Sequence, residues 1–131
     1  MLLVRLAGPG ARRIAVANVH ASTGERARAA ADVLGAAGAA AAWAAGLPLV
    51  LGGDLNLREV EAPDVFEALE RRHGLRGSTG GDAIDHLLVR GLVPVEPPRA
   101  LPPATREVAQ PDGRVVRLSD HPVVAGTFEV E

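Results

Sequence analysis

The chain has 131 residues and a formal net charge of -2, with no cysteine and no lysine. That length fits one domain with a modest core, and the missing cysteines exclude disulfides and thiolate metal sites while leaving the redox compartment open. Near-neutral charge argues against a nucleic-acid-coating role, though not against a nuclease whose metal meets the phosphate charge.

Leu2 to Leu6 reads as a short strand. Gly8-Pro9-Gly10 is turn chemistry, and Arg13 to Val19 reads as the hairpin partner of the first strand. Ser22-Thr23-Gly24-Glu25 fits a capping box, with Ser22 as N-cap. A helix is expected from about Glu25 to Ala45. Its only bulky apolar residues are Val33, Leu34 and Trp43, so it packs closely through alanine. Gly35 and Gly38 weaken it by about 1 kcal/mol each relative to Ala. Gly46 ends it and Pro48 prevents continuation.

Leu49-Val50-Leu51 is a continuous apolar run, the pattern of a central strand covered on both faces. Strand, helix and strand make a crossover unit, expected to be right-handed. Pro63-Asp64 opens a shorter helix to about Arg71. His73 to Asp82 is a Gly-rich loop, Ile84 to Val89 a strand, and Val93-Pro94-Val95 a candidate strand. Glu96 to Pro103 is Pro-rich and reads as an irregular surface loop. Val115 to Leu118 and Pro122 to Val130 close the chain as strands. Residues 1–131 form a single α/β unit with no repeat and no linker. No apolar segment is long enough to cross a bilayer, and Met1 to Ala7 lacks a signal peptide's pattern, which makes the cytoplasm the default location.

Four polar spots interrupt this pattern, each at an end of an apolar run: Asn18-Val19-His20, Gly53-Asp54-Leu55-Asn56, Ile84-Asp85-His86 and Ser119-Asp120-His121-Pro122. Asp54 and Asn56 follow a buried strand through Gly52-Gly53, whose freedom lets the backbone turn close to a ligand. Two apart on an extended segment, they are expected to face one point. The competing reading is a solvated turn. His20 and Asp54 are expected at the same sheet edge, where α/β proteins bind ligands. Asp85 is costly inside an apolar strand unless paired, and His121 is its candidate partner. That leaves Asp120 as a hard oxygen ligand for a divalent cation. His86 points to the opposite face and reads as structural or exposed, and His73 as a solvated helix end.

In this order, the four spots resemble the successive motifs of the endonuclease/exonuclease/phosphatase superfamily, the DNase I-like metal-dependent phosphoesterases. The likeness runs from about Ile14 to Phe128 and is to the C-terminal half of that fold. It implies an α/β (α+β) architecture: half of a four-layer α/β/β/α sandwich, one mixed sheet covered by helices on one face. It implies a metal-dependent phosphoesterase using Mg²⁺ or Mn²⁺. Asp54 would position or deprotonate the attacking water, and Asn56 would hold it or a phosphate oxygen. His20 would contact the phosphate or act as general acid. Asp85 would orient His121, which stabilises the pentacovalent transition state, and Asp120, with Asp54, would bind the metal.

The family's N-terminal half has no counterpart here. That half brings an Asn and the main metal-binding Glu, whereas Met1 to Val19 holds no acidic residue and Glu25 matches no motif. A weak or incomplete metal site is therefore expected, with weak or no activity in the chain alone. A half sandwich also predicts an exposed apolar sheet face. Three explanations fit: a fragment or mis-started product, which the strand-like sequence straight after Met1 favours, a homodimer through that face, or a separate chain carrying the missing half. The alternative function is a non-catalytic remnant or interaction module. The substrate would be a phosphate ester, nucleic acid among the candidates, although neither Arg71 to Gly81 nor Glu96 to Gln110 carries an aromatic for base stacking.

Overall fold

The computed structural model describes residues 1–8 and 12–131. Within the expected Gly8-Pro9-Gly10 turn, Pro9 and Gly10 lie outside the described residues. Strand β1 (Leu2–Ala7) pairs antiparallel with β2 (Arg13–His20), helix α1 (Arg26–Ala44) crosses over, and β3 (Leu49–Asp54) returns parallel to β2. Helix α2 (Pro63–His73) follows, then β4 (Asp85–Arg90), antiparallel to β3. These strands make one mixed four-stranded sheet in the order β1-β2-β3-β4. Beyond it, β5 (Leu92–Ala100) pairs antiparallel with β8 (Val124–Val130), and β6 (Glu107–Ala109) with β7 (Val115–Arg117). The β5–β8 ribbon packs beside β4.

Both helices lie on one face of the four-stranded sheet. The alternation of side chains along a strand explains the division. Ala15, Ala17 and Val19 of β2 and Leu49 and Leu51 of β3 are buried under α1, which presents Ala29, Val33, Ala37, Ala40 and Ala44 at helical spacing. Alanines let the helix sit close to the strands, so a chain with little aromatic content still closes its core. Helix α2 adds Val65, Phe66, Ala68 and Leu69. The other face carries Leu2, Val4 and Leu6, in register with Asn18, Val16 and Ile14. Leu2 is 62% and Leu6 53% exposed, so an apolar stripe on the uncovered face meets solvent. Among the described residues, no helix is long and apolar enough to cross a membrane.

Four local expectations are corrected. The N-cap of α1 is Glu25, not Ser22, and no side chain caps it. Ser22 instead donates its backbone N–H to Asp32 Oδ2 at 2.9 Å, because Gly24 at φ +88° turns the chain before the helix starts. The Ser22 side chain is the main cause holding the Asp32 carboxyl below its usual range, and this backbone bond is the next. Segment 96–100, expected as irregular, continues β5 against β8 with register shifts between Pro94 and Glu96 and between Glu96 and Arg99. Bulges let a strand carry prolines that cannot donate to a ladder. His73 is half-buried rather than solvated: its ring reaches to 3.8 Å from where a Cβ on Gly38 of α1 would stand. Strand β6 was not expected, since Glu107-Val108-Ala109 is too short to show a period.

Candidate functional site

The sheet brings three of the four polar spots to one end. Parallel pairing of β2 with β3 sets His20 opposite Asp54, and antiparallel pairing of β3 with β4 sets Asp54 opposite Asp85. Paired positions share a face, so His20, Asp54 and Asp85 all emerge at the uncovered face. The fourth spot arrives from the bend between β7 and β8. There His121 N–H donates to Ser119 Oγ at 3.1 Å, while Leu118 N–H and Leu101 N–H anchor the segment on Arg106 O and Val123 O at 2.8 Å each. Asn18, Val19, His20, Asp54, Asp85, Ser119 and His121 line a shallow cleft of about 280 Å³. A larger cavity of about 340 Å³ beneath α2, lined by Glu59, Phe66, Glu70 and Arg76, holds none of these groups.

His121 Nδ1 lies 2.9 Å from Asp85 Oδ2 and 3.1 Å from Oδ1. That contact is the main reason the His121 imidazole binds its proton more tightly than usual; the charges of Asp85, Asp54 and, least, Asp120 add to it, while burial opposes it. With Nδ1 committed, Nε2 points to Asp54 Oδ2 at 3.8 Å. The same oxygen faces His20 Nε2 at 3.6 Å. Asp54 Oδ1 accepts the Asn56 N–H at 2.9 Å, which leaves Oδ2 turned to the cleft. The carboxylates are sheltered, at 13% for Asp54 and 16% for Asp85, while His20 is open at 72%.

Close backbone approach is what makes this convergence possible. Gly53 has φ +129°, and a Cβ there would stand 2.0 Å from Val19 O and 2.6 Å from Asn18 Oδ1. Only glycine fits at that position, which lies directly before Asp54 and beside the end of β2. Asn56 does not share the direction of Asp54, as an extended segment would require. Strand β3 stops at Asp54, Asn56 is left-handed at φ +49°, and its Nδ2 donates to Ala21 O at 2.9 Å. Its side chain ties the β3 exit to the β2 exit and does not line the cleft.

Asp54, Asp85 and His121 each offer one ligand atom, all within 4.8 Å of one another, so this cluster could hold a metal ion. The sequence reading placed Asp120 with Asp54 at the metal. Asp120 is exposed and is not part of the three-residue cluster. Two sheltered carboxylates suit a hard divalent cation that keeps several waters. The imidazole suits it less, because a hard cation takes oxygen ligands in preference to nitrogen.

No family model matches the chain, and no curated protein does. Among solved structures it is similar to a humanized D. rerio TDP2 with 14 mutations, at 15% sequence identity and a TM-score of 0.57. The likeness covers 98% of this chain and 57% of that one. The chain thus spans little more than half the length of this neighbour. That structural likeness shows the fold: a mixed four-stranded sheet with two helices, as the α/β reading required.

Two features of the site had no role assigned from the sequence. Asn18, named in the first polar spot, lines the cleft beside His20, as alternation along β2 from His20 would indicate. The contacts of His86 were invisible, because both partners are backbone groups of loops that sequence periodicity does not place.

Proposed function

We propose that the chain is a phosphoesterase-type domain that hydrolyses a phosphate ester with an activated water. The observation that carries this reading is the Asp85–His121 pair, whose free Nε2 meets the free oxygen of Asp54 in one cleft. A carboxylate-fixed imidazolium is suited to a phosphoryl group as negative charge builds on it. Asp54 Oδ2 is the open base for the attacking water, and His20, on the rim, is placed to contact the phosphate or protonate the leaving oxygen. Asn56 serves this arrangement by fixing Asp54 through its backbone N–H.

Asp54 and Asp85 are the carboxylates that would hold Mg²⁺ or Mn²⁺, with Asp120 the further ligand from the motif reading. Bound there, the ion supplies Lewis-acid polarisation of a phosphoryl oxygen. Turnover of a generic phosphodiester with Mg²⁺ or Mn²⁺ is the test, with Asp54→Asn and His121→Ala as controls. Each substitution is expected to lower the rate by about 10²–10⁴-fold. Activity that survives both would sink the reading.

A second reading rests on the uncovered sheet face, where Leu2, Val4 and Leu6 stand exposed. There the chain acts as a non-catalytic interaction module, completed by a second copy or by another chain across that face. No turnover in the intact chain, together with a saturable partner on this face, would decide for it.

A further inference from the structure

His86 stands back to back with Asp85. Alternation along β4 sends the Asp85 carboxylate into the cleft and the His86 ring to the helix side. The ring is 1% exposed and meets the Phe66 ring edge-on, with centroids 5.0 Å apart. A histidine buried to that degree must satisfy both nitrogens. Thr79 N–H donates to Nδ1 at 3.3 Å, so Nδ1 carries no hydrogen. Nε2 then bears the proton and donates to Leu57 O at 3.0 Å. Only this tautomer satisfies both partners.

The two partners lie in different segments. Leu57 directly follows Asn56, in the turn whose backbone N–H holds Asp54. Thr79 belongs to the loop that leads into β4. We propose that His86 is a positioning residue for the cleft: it pins the carbonyl of Leu57 to β4 and thereby fixes the Asn56 turn, and with it the Asp54 carboxylate, against Asp85 and His121. The inference rests on the phosphoesterase reading for its consequence in turnover, but the pinning itself is independent of that reading.

The two bonds can be separated by substitution. In His86→Gln an amide N–H stands near the place of Nε2 and can still donate to Leu57 O. In His86→Asn an amide oxygen stands near the place of Nδ1 and can still accept from Thr79, but the Leu57 bond is lost. Both variants shrink the ring's packing on Phe66, so both lose thermal stability. The split should appear elsewhere. His86→Asn is expected to lose about 10²-fold in kcat with KM little changed, as small misplacements of catalytic groups do, while His86→Gln stays close to the parent. Amide hydrogen exchange at Asn56 is expected to quicken in His86→Asn alone, with the amides of α1 unchanged. Equal losses of kcat and of Asn56 protection in the two variants, following their stabilities, would overturn the proposal. A parent chain without turnover removes the phosphoesterase reading, and the exchange comparison still decides whether His86 holds the turn.

Discussion

His121 and Asp85, 36 residues apart in sequence, share a two-oxygen contact through one ring nitrogen. Asp85 opens β4, and His121 belongs to no strand. The pair exists because β4 carries Asp85 to the sheet end while the Ser119–His121 bend folds back over it.

The pair makes stability depend on pH, with a defined sign. His121 binds its proton more tightly in the folded chain than at the ordinary value of 6.5. Its contribution is therefore complete below 6.5 and is lost as pH rises through the raised folded value. Urea midpoints are expected to fall across that window. Asp85→Asn removes the largest cause of the shift, so the slope should flatten and the imidazole titration, followed by NMR, should return toward 6.5. An unchanged titration in Asp85→Asn would show that the pair does not set the proton affinity.

Gly53→Ala is expected to be among the most damaging small substitutions. The positive φ alone costs about 1–3 kcal/mol for a residue with a Cβ. The overlap with Val19 O and Asn18 Oδ1 adds to it by pushing β2 and β3 apart at the cleft. Gly24→Ala is the control: its φ is +88°, but nothing lies within 4 Å of the new Cβ. Denaturant melts should show the larger loss at Gly53, and equal losses would argue that strain alone matters there.

Ala37 is completely buried between α1 and the sheet. Ala37→Leu should destabilise by about 1–3 kcal/mol through overpacking. An unchanged melting temperature would mean the helix stands off the strands further than described.

The uncovered face gives a prediction about association. Leu2→Glu with Leu6→Glu replaces two exposed apolar side chains, so stability should change by only about 0.5 kcal/mol or less per site. Any concentration-dependent association seen by sedimentation in the parent should disappear. Association that persists would place the contact elsewhere.

Much of the site was legible because its residues break an apolar pattern. Asp54 after two glycines, Asp85 in an apolar strand and His121 beside Asp120 each stand where a core-forming chain would place something else. The meeting of His20 with Asp54 follows from the parallel pairing that the crossover pattern implied, whereas Asp85 arrives by β3–β4 pairing and His121 on the bend after β7. Asn56 was misjudged because Asp54 ends the strand, and a single left-handed residue reverses side-chain direction in a way periodicity cannot show. The Pro-rich stretch was misjudged because proline weighs against a strand locally, whereas a bulged two-stranded ribbon accommodates it.

The amino-acid sequence by itself determined the helix–strand order from β1 to β4, the alanine face of α1 and the residues able to do chemistry, because all three are written in local residue types and spacing. Tertiary structure alone decided that His121 takes Asp85 with both oxygens and that Asn56 turns to Ala21. It also decided that His86 joins two loops beneath the cleft. These depend on distances between groups far apart in the chain, and those distances are set by register and turn geometry rather than by any residue's own preference.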